Sequence, residues 1–492
     1  MAIKTPTNTM AHTPGRYVAA IAALLSTGLG GCASDVVPTA SPSAHPLSVV
    51  LDYSPTLSDA GALLYLASNP AVDLLAVTLP GTGEADCEPG TRITHSLLTV
   101  AGKGDVAVGC GRDTPLVGDR DWPNEWRAEA NHWGDGILPS VETEPVRDAE
   151  QLLVDTLSGA TAPVTVVAVA PLTNLGAVLV DHPELASRIE RIVIMGGAVD
   201  VPGNVEDAPA AEWNLYVDPE AARRVFAAGV PVTLVPLDAT NDVPWSDRLS
   251  ARLASLDGAA AQTESRLTRS RESLEGLYLW DELAAVVAVR PDVVTFEQRT
   301  VAVDASGSIV ADPDGATVEV GVGADAAMAT DEFVRTLNGG SLPAVAPIDR
   351  IELGYLVDMG GASTHFNAAM SRAYATDQSN GIDDRETAAR FVTVFFDAFD
   401  ALETEATALT PPPSLAEAHG QYLDALAQLL ASRADVLAAL AEADGATADE
   451  LLGNTAARTS VIDLMDSVTS ACQVIEDYSY LRDGPNVCPG GG

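Results

Sequence analysis

Carboxylates and carboxamides gather in this chain just after short apolar runs. The run Leu47 to Leu51 (LSVVL) is followed by Asp52-Tyr53-Ser54-Pro55-Thr56-Leu57-Ser58-Asp59. Pro171-Leu172-Thr173-Asn174 follows VTVVAVA, and Gly196-Gly197 follows RIVIM. Gly203-Asn204 then leads to Ala211-Glu212-Trp213-Asn214 and to Asp218-Pro219-Glu220. Polar groups brought to one place by distant segments make a pocket in which a ligand can be bound and a proton moved. Each also has a purely structural use: Asp59 and Asp218 as helix caps, Asn174 as a turn residue, Glu212 as a solvated loop charge.

The elements that would deliver these groups alternate. Apolar runs at Leu47 to Leu51, Val72 to Leu79, Val164 to Val169, Ile192 to Met195 and Val232 to Leu237 read as strands, with helical patterns between them, the first at Ser58 to Ala67. Apolar strands alternating with helices predict a parallel sheet covered on both faces. Ligands of such sheets sit at the carboxyl ends of the strands, which is where the polar groups fall.

Together these segments resemble the inosine-uridine-preferring nucleoside hydrolase family. The resemblance runs from about Leu47 to Leu337 and rests on LTNL, RIVIMGGA, AEWNLYVDPEAARRVF and PVTLVPLDAT, in the family's order and at similar spacing. It implies an α/β fold with an open, mostly parallel sheet flanked by helices, a Ca²⁺ ion at the pocket floor, and hydrolysis of the N-glycosidic bond of ribonucleosides to ribose and free base. That reaction develops oxocarbenium character, so a site must hold the sugar diol, supply an activated water and receive the departing base. A hard cation with oxygen ligands can hold both diol and water. By resemblance Asp59 and Asp281 are carboxylate ligands, Val169 gives its backbone carbonyl, and Asn204, Glu212 and Asn214 hold sugar hydroxyls. His132, in NHWGDG, looks like the His that opens the family's His-Gly-x-Asp-Gly loop; an ordinary exposed histidine is the alternative.

The departures concern the chemistry. The four carboxylate positions of the family's opening Asp-x-Asp-x-x-x-Asp-Asp motif read Asp52, Ser54, Ser58 and Asp59. The second of them is the expected general base, and an unassisted serine hydroxyl cannot take a proton from water at neutral pH. Asp52 and His132 remain as candidate catalytic groups, although two residues of strand place Asp52 about 6.6 Å from position 54. Leu79-Pro80-Gly81-Thr82-Gly83 stands where the family carries an Asn, and Trp280 where many members carry a His. One fewer carboxylate weakens a Ca²⁺ site. Two functions are therefore expected to compete: a nucleoside hydrolase with an altered site, or a catalytically deficient relative that binds a nucleoside-like ligand or acts as a cell-surface scaffold. A solute-binding component of a transporter is a third reading, with no two-lobed repeat to support it.

Composition narrows the partners. With 27 Lys and Arg against 69 Asp and Glu, the net charge of −42 repels phosphate backbones and excludes nucleic-acid binding as an expectation. Residues 1–31 carry Lys4 and Arg16, no acid, and an apolar run from Tyr17 to Leu25 ending in Leu29-Gly30-Gly31-Cys32. This reads as a lipoprotein signal peptide with Cys32 as the lipidated residue, followed by a flexible tether at 32–46. The expected location is the outer face of a bacterial cell membrane, secreted and held there by the N-terminal lipid. In that oxidising setting Cys87, Cys110, Cys472 and Cys488 are expected to form two disulfides, sequence proximity favouring Cys87 with Cys110 and Cys472 with Cys488.

The hydrolase-like domain is bounded at 47–340, a linker is expected at 341–365, and a helical domain at 366–492. Within the last, Phe391, Val394, Phe395, Ala398 and Leu402 fall at helical spacing, and Pro411-Pro412-Pro413 breaks that helix. Ser414 with Glu417 resembles a capping box for a helix carrying Tyr422, Leu426, Leu429 and Leu430, and a further helix is expected within Asp449 to Tyr480. These stripes predict a small bundle core, open to an unidentified protein partner; a homo-oligomer is also compatible with the sequence.

Overall fold

The computed structural model describes residues 46–141, 146–270, 274, 276–341, 350–380, 385–443, 458–480 and 487–488. The signal peptide, Cys32 and nearly all of the tether lie outside them. Ten strands form one sheet: β1 (Leu47–Asp52), β2 (Val72–Leu79), β3 (Ala107–Cys110), β4 (Arg147–Asp148), β5 (Val164–Ala168), β6 (Ile189–Met195), β7 (Val232–Val235), β8 (Val294–Val303), β9 (Ile309–Ala311) and β10 (Ala316–Ala324). Their order is β4-β3-β2-β1-β5-β6-β7-β10-β8-β9. All pairs from β4 across to β10 are parallel; β8 runs antiparallel to β10 and β9 antiparallel to β8.

Alternation explains why the central strands are apolar throughout. Val49 and Leu51 of β1, with Val193 and Met195 of β6, face one core; Val50, Ile192 and Ile194 face the other. Helices cover both faces, so no side of these strands meets water. The order reverses beside β1: β2, β3 and β4 build outward on one side, β5, β6 and β7 on the other. The carboxyl ends of β1 and β5 therefore border the crevice where such sheets bind ligands.

The expected strands and the two disulfides are present, Cys87 with Cys110 and Cys472 with Cys488. The expected linker is not one throughout. Residues 342–349 lie outside the described set, but from Arg350 the chain is helical to Asn380. Tyr355, Leu356, Met359 and Ala362 give that segment a buried stripe, and they pack into the same core as Phe396, Leu402, Tyr422, Leu426 and Ile475. Further helices follow at Arg385–Thr407, Ala416–Ala431, Arg433–Glu442 and Arg458–Tyr480. The capping box does not form: Leu415 is the N-cap residue, without a side-chain cap, and Ser414 Oγ instead donates to Glu352 at 2.7 Å. Arg269 pairs with Asp477 at 2.7 Å, tying this bundle to the α/β part. No helix among the described residues is long and apolar enough to cross a membrane.

Candidate active site

A cavity of about 440 Å³ opens at the carboxyl ends of the parallel strands. Its floor is set by the β1 loop. Ser54 N donates to Asp59 Oδ1 at 3.1 Å and Thr56 Oγ1 to Asp59 Oδ2 at 2.6 Å, so the first turn of the helix Leu57–Ser68 holds Asp59 toward the cavity. Asp281 enters from the first turn of the helix Trp280–Val289. Both carboxylates are buried and both line the cavity. Burial first, and then the charge of Asp281, hold the Asp59 carboxyl well above the usual range.

Val169, just past β5, lines the same floor, and its carbonyl accepts from Asn214 Nδ2 at 3.3 Å. The same Nδ2 also reaches the Met195 carbonyl at 3.3 Å, which clamps Asn214 between the ends of β5 and β6. Gly197, at φ +79°, turns the chain after β6 so that its N–H donates to Glu212 Oε2 at 2.9 Å, while Asn214 N donates to Glu212 Oε1 at 3.0 Å. Burial pushes the Glu212 carboxyl up to about 7 against the pull of these N–H donors. Asn204 Oδ1 accepts from Trp213 N at 3.2 Å, and its side chain joins the wall. The predicted ligand and sugar residues Asp59, Val169, Asn204, Glu212, Asn214 and Asp281 thus converge on one cavity.

Two predicted residues do not. Asp52 is fully buried beneath the floor, where its Oδ1 accepts from Thr78 Oγ1 at 2.7 Å and Asn174 Nδ2 at 2.9 Å, and it is not part of the lining. Burial raises its carboxyl to about 7. It is a bracket between strands, because its side chain points into the sheet rather than past its end. His132 ends the helix Asn124–His132, is 80% exposed and faces Asp135 at 3.3 Å, also outside the lining. The altered loop turns it to solvent.

The structure adds residues that no motif announced. Trp122 and Trp126 reach the cavity from the segment before and within the helix Asn124–His132, and Trp122 stacks on Trp213 with ring centroids 5.0 Å apart. Trp126 leans on Trp213 at 5.3 Å. Trp245, Tyr278 and Trp280 form the opposite aromatic wall. Among the described residues, Glu84 and Glu129 bring the lining carboxylates to five with Asp59, Glu212 and Asp281. Among the described residues no three His, Cys, Asp or Glu side chains converge closely enough to hold a metal by themselves. The donors at the floor are nonetheless all oxygen, two buried carboxylates and a strand-end carbonyl, which suits a hard divalent ion.

An open parallel sheet whose strand ends close on an acidic, aromatic-walled cavity is the layout of an α/β nucleoside hydrolase. The chain belongs to the inosine-uridine preferring nucleoside hydrolase family, whose model matches residues 49–332. It is 33% identical over 270 residues to a pyrimidine-specific ribonucleoside hydrolase of Shewanella woodyi, a match covering 53% of this chain and 84% of that one. Among solved structures it is similar to a plant nucleoside hydrolase, with 26% identity, a TM-score of 0.54, and 60% of this chain and 99% of that one covered. A purine-preferring ribonucleoside hydrolase from Gardnerella vaginalis superposes with 26% identity and a TM-score of 0.52, over 59% of this chain and 98% of that one. The protein is accordingly a nucleoside hydrolase-like enzyme of a family that is in general metal-dependent, and the non-catalytic alternative is not favoured.

Proposed function

We propose that the protein hydrolyses the N-glycosidic bond of ribonucleosides in a Ca²⁺-dependent reaction, with Asp59, Asp281 and the Val169 carbonyl as the protein ligands. The observation that carries this reading is the buried pair Asp59 and Asp281, two carboxylates brought together on the cavity floor with the Val169 segment beside them. A bound Ca²⁺ would supply a Lewis-acid centre that holds the ribose diol and lowers the pKa of a water. Asn204, Glu212 and Asn214 hold the sugar hydroxyls from the side of β6. The tryptophan walls take the flat base and keep water off the glycosidic bond, which strengthens every charge interaction within. The named relatives include a pyrimidine-specific and a purine-preferring enzyme, so the likeness leaves the choice of base to this chain's own walls.

The test is release of free base, followed by chromatography, from a panel of purine and pyrimidine ribonucleosides at several Ca²⁺ concentrations. Release that needs Ca²⁺ and falls at least 100-fold in Asp281→Ala is expected. No release from any nucleoside by folded protein would overturn the reading.

Lipid anchoring through Cys32 belongs to the same proposal and rests on Leu29-Gly30-Gly31-Cys32. Fatty-acid labelling in a bacterial host should mark the protein and fail in Cys32→Ala; equal labelling of both would remove the anchor.

A further inference from the structure

The segment that leaves β3 is fastened again beyond β6, with β2, β1 and β5 lying between those two strands in the sheet. Leu116 N donates to Asp218 Oδ2 at 2.8 Å, and Arg120 then closes a knot. Its Nη1 donates to the Tyr216 carbonyl at 3.0 Å and the Ser306 carbonyl at 3.1 Å, and its Nη2 to the Ala305 carbonyl at 3.1 Å. The guanidinium also lies over the Tyr216 ring, 4.4 Å from its centroid. The three acceptors stand together because the turn between β8 and β9 packs on the helix Trp213–Val217: Gly307 has φ +87°, and a Cβ there would stand 2.6 Å from the Leu215 carbonyl oxygen. Asp304 shapes that turn by accepting from Ser306 N at 2.8 Å and Ser308 N at 3.0 Å. Carbonyls converging from two segments call for a rigid fork of N–H donors, which among side chains is the guanidinium.

What the knot carries is Trp122. Two residues after Arg120, its indole stacks on Trp213 with the planes 18° off parallel, and Tyr216, the ring under Arg120, meets Trp213 edge-on at 5.4 Å. Trp122 is fixed from the other side by the β2 loop. Its Nε1 donates to the Thr82 carbonyl at 3.1 Å, and Arg127 pairs with Asp121 at 2.6 Å while donating to the Gly83 carbonyl at 3.0 Å. Ser54 Oγ accepts the Glu84 N–H at 2.8 Å, which joins that loop to the β1 loop. Arg120 ties the opposite side to the segment that carries Trp213. Trp122 and Trp213 both line the cavity, whereas Arg120 stands behind them, outside the lining.

We infer that Arg120 is a positioning residue for base recognition: it sets Trp122 against Trp213 and so fixes the aromatic wall on which the base rests. Resting on the function proposed above, this role concerns the binding of the base and not the breaking of the bond, because the floor carboxylates Asp59 and Asp281 are held by the helices Leu57–Ser68 and Trp280–Val289. Free ribose, which has no base, does not meet this wall.

The experiment compares the purified protein with Arg120→Ala, Arg120→Lys, Trp122→Ala and the double variant of Arg120→Ala with Trp122→Ala. It reads kcat and KM for uridine and inosine, inhibition by ribose, quenching of tryptophan fluorescence by free uracil and hypoxanthine, and the exciton signal of the stacked indoles in circular dichroism. Expected for Arg120→Ala is a KM raised about tenfold with kcat within about threefold, the weight of a base stacked on an aromatic ring. Ribose inhibition should hold and the exciton signal should fall. Arg120→Lys keeps the charge without the fork and should lie between parent and Arg120→Ala in both KM and exciton signal. Because Arg120 acts through Trp122, adding Arg120→Ala to Trp122→Ala should raise KM by less than about twofold more. Additive effects on KM, ribose inhibition weakened in parallel with KM, or a KM and exciton signal unchanged in Arg120→Ala would each overturn the role of Arg120 and leave the hydrolysis standing. A parent that releases no base overturns the hydrolysis. The role of Arg120 is then read from quenching by the free bases, where a loss of affinity of about tenfold in Arg120→Ala upholds it, and equal affinity, or no quenching of either protein, overturns it.

Discussion

Asn174 Nδ2 donates to Asp52 Oδ1 at 2.9 Å across 122 positions of sequence. The bond joins the first turn of the helix Thr173–Asp181, which follows β5, to the end of β1, and Thr78 of β2 completes it at 2.7 Å, so two adjacent strands and a helix start are pinned through one carboxylate. Substituting Asp52→Ala leaves the Thr78 hydroxyl and the Asn174 amide buried without this acceptor, at a cost of about 2–4 kcal/mol in denaturant unfolding. A variant of unchanged stability would show that the bracket carries no weight.

The aromatic wall yields a prediction about affinity. Base stacking on an aromatic side chain is worth about 1–3 kcal/mol, and Trp126 both lines the cavity and leans on Trp213. Trp126→Ala should raise KM about tenfold and leave kcat within about threefold. A fall confined to kcat would mean that Trp126 acts on the chemistry and not on the bound base.

His132 offers the opposite expectation. Exposed and paired with Asp135, it stands outside the cavity lining. His132→Ala should change kcat/KM by less than about twofold, as surface substitutions do. A loss beyond about 30-fold would show that the loop closes over bound substrate.

A second buried acid pair lies outside the cavity lining, Glu282 next in sequence to Asp281. Glu264 is fully buried with neither carboxylate oxygen hydrogen-bonded, and burial raises it to about 8. Glu282 is raised well above its usual range by burial first and then by Glu264. Because the folded-state pKa lies above the unfolded one, the protonated form stabilises the fold. That contribution is complete below about pH 4.5 and is lost as pH rises through about 8. Glu264→Met should therefore gain of order 3 kcal/mol at pH 8.5 and much less at pH 5.5, checked by thermal melting at both. An equal gain at both would trace it to packing alone.

Sequence pattern exposed the sheet where burial is two-sided: Val49, Val50 and Leu51, or Ile192 to Met195, admit no other reading than a covered strand. It was silent on β8, β9 and β10, where exposed Glu297 and Gln298 break the apolar run and only pairing across the hairpin makes strands. The cavity residues Asp59, Glu212 and Asn214 were legible because they fall within contiguous runs, DYSPTLSD and AEWN. Glu84, Trp122 and Trp126 were not, since their place depends on Arg127 and Ser54 drawing two loops together, a contact between side chains far apart in the chain. The linker was misjudged because the stripe Tyr355, Leu356, Met359 and Ala362 is interrupted by Gly354, Gly360 and Gly361, which weaken the helical pattern that tertiary packing restores.

The Cys87–Cys110 bond gives one wall of the cavity a covalent footing. Cys87 begins the helix three residues after Glu84, and Cys110 ends β3, so the tie fixes the far end of the loop that brings Glu84 to the lining. That footing exists only after the two thiols have been oxidised, so the shape of the wall depends on the redox state in which the chain folds. Treating purified protein with dithiothreitol should accordingly lower kcat/KM for base release, and an unchanged kcat/KM after verified reduction of Cys87 would dissolve the link between the bond and the cavity.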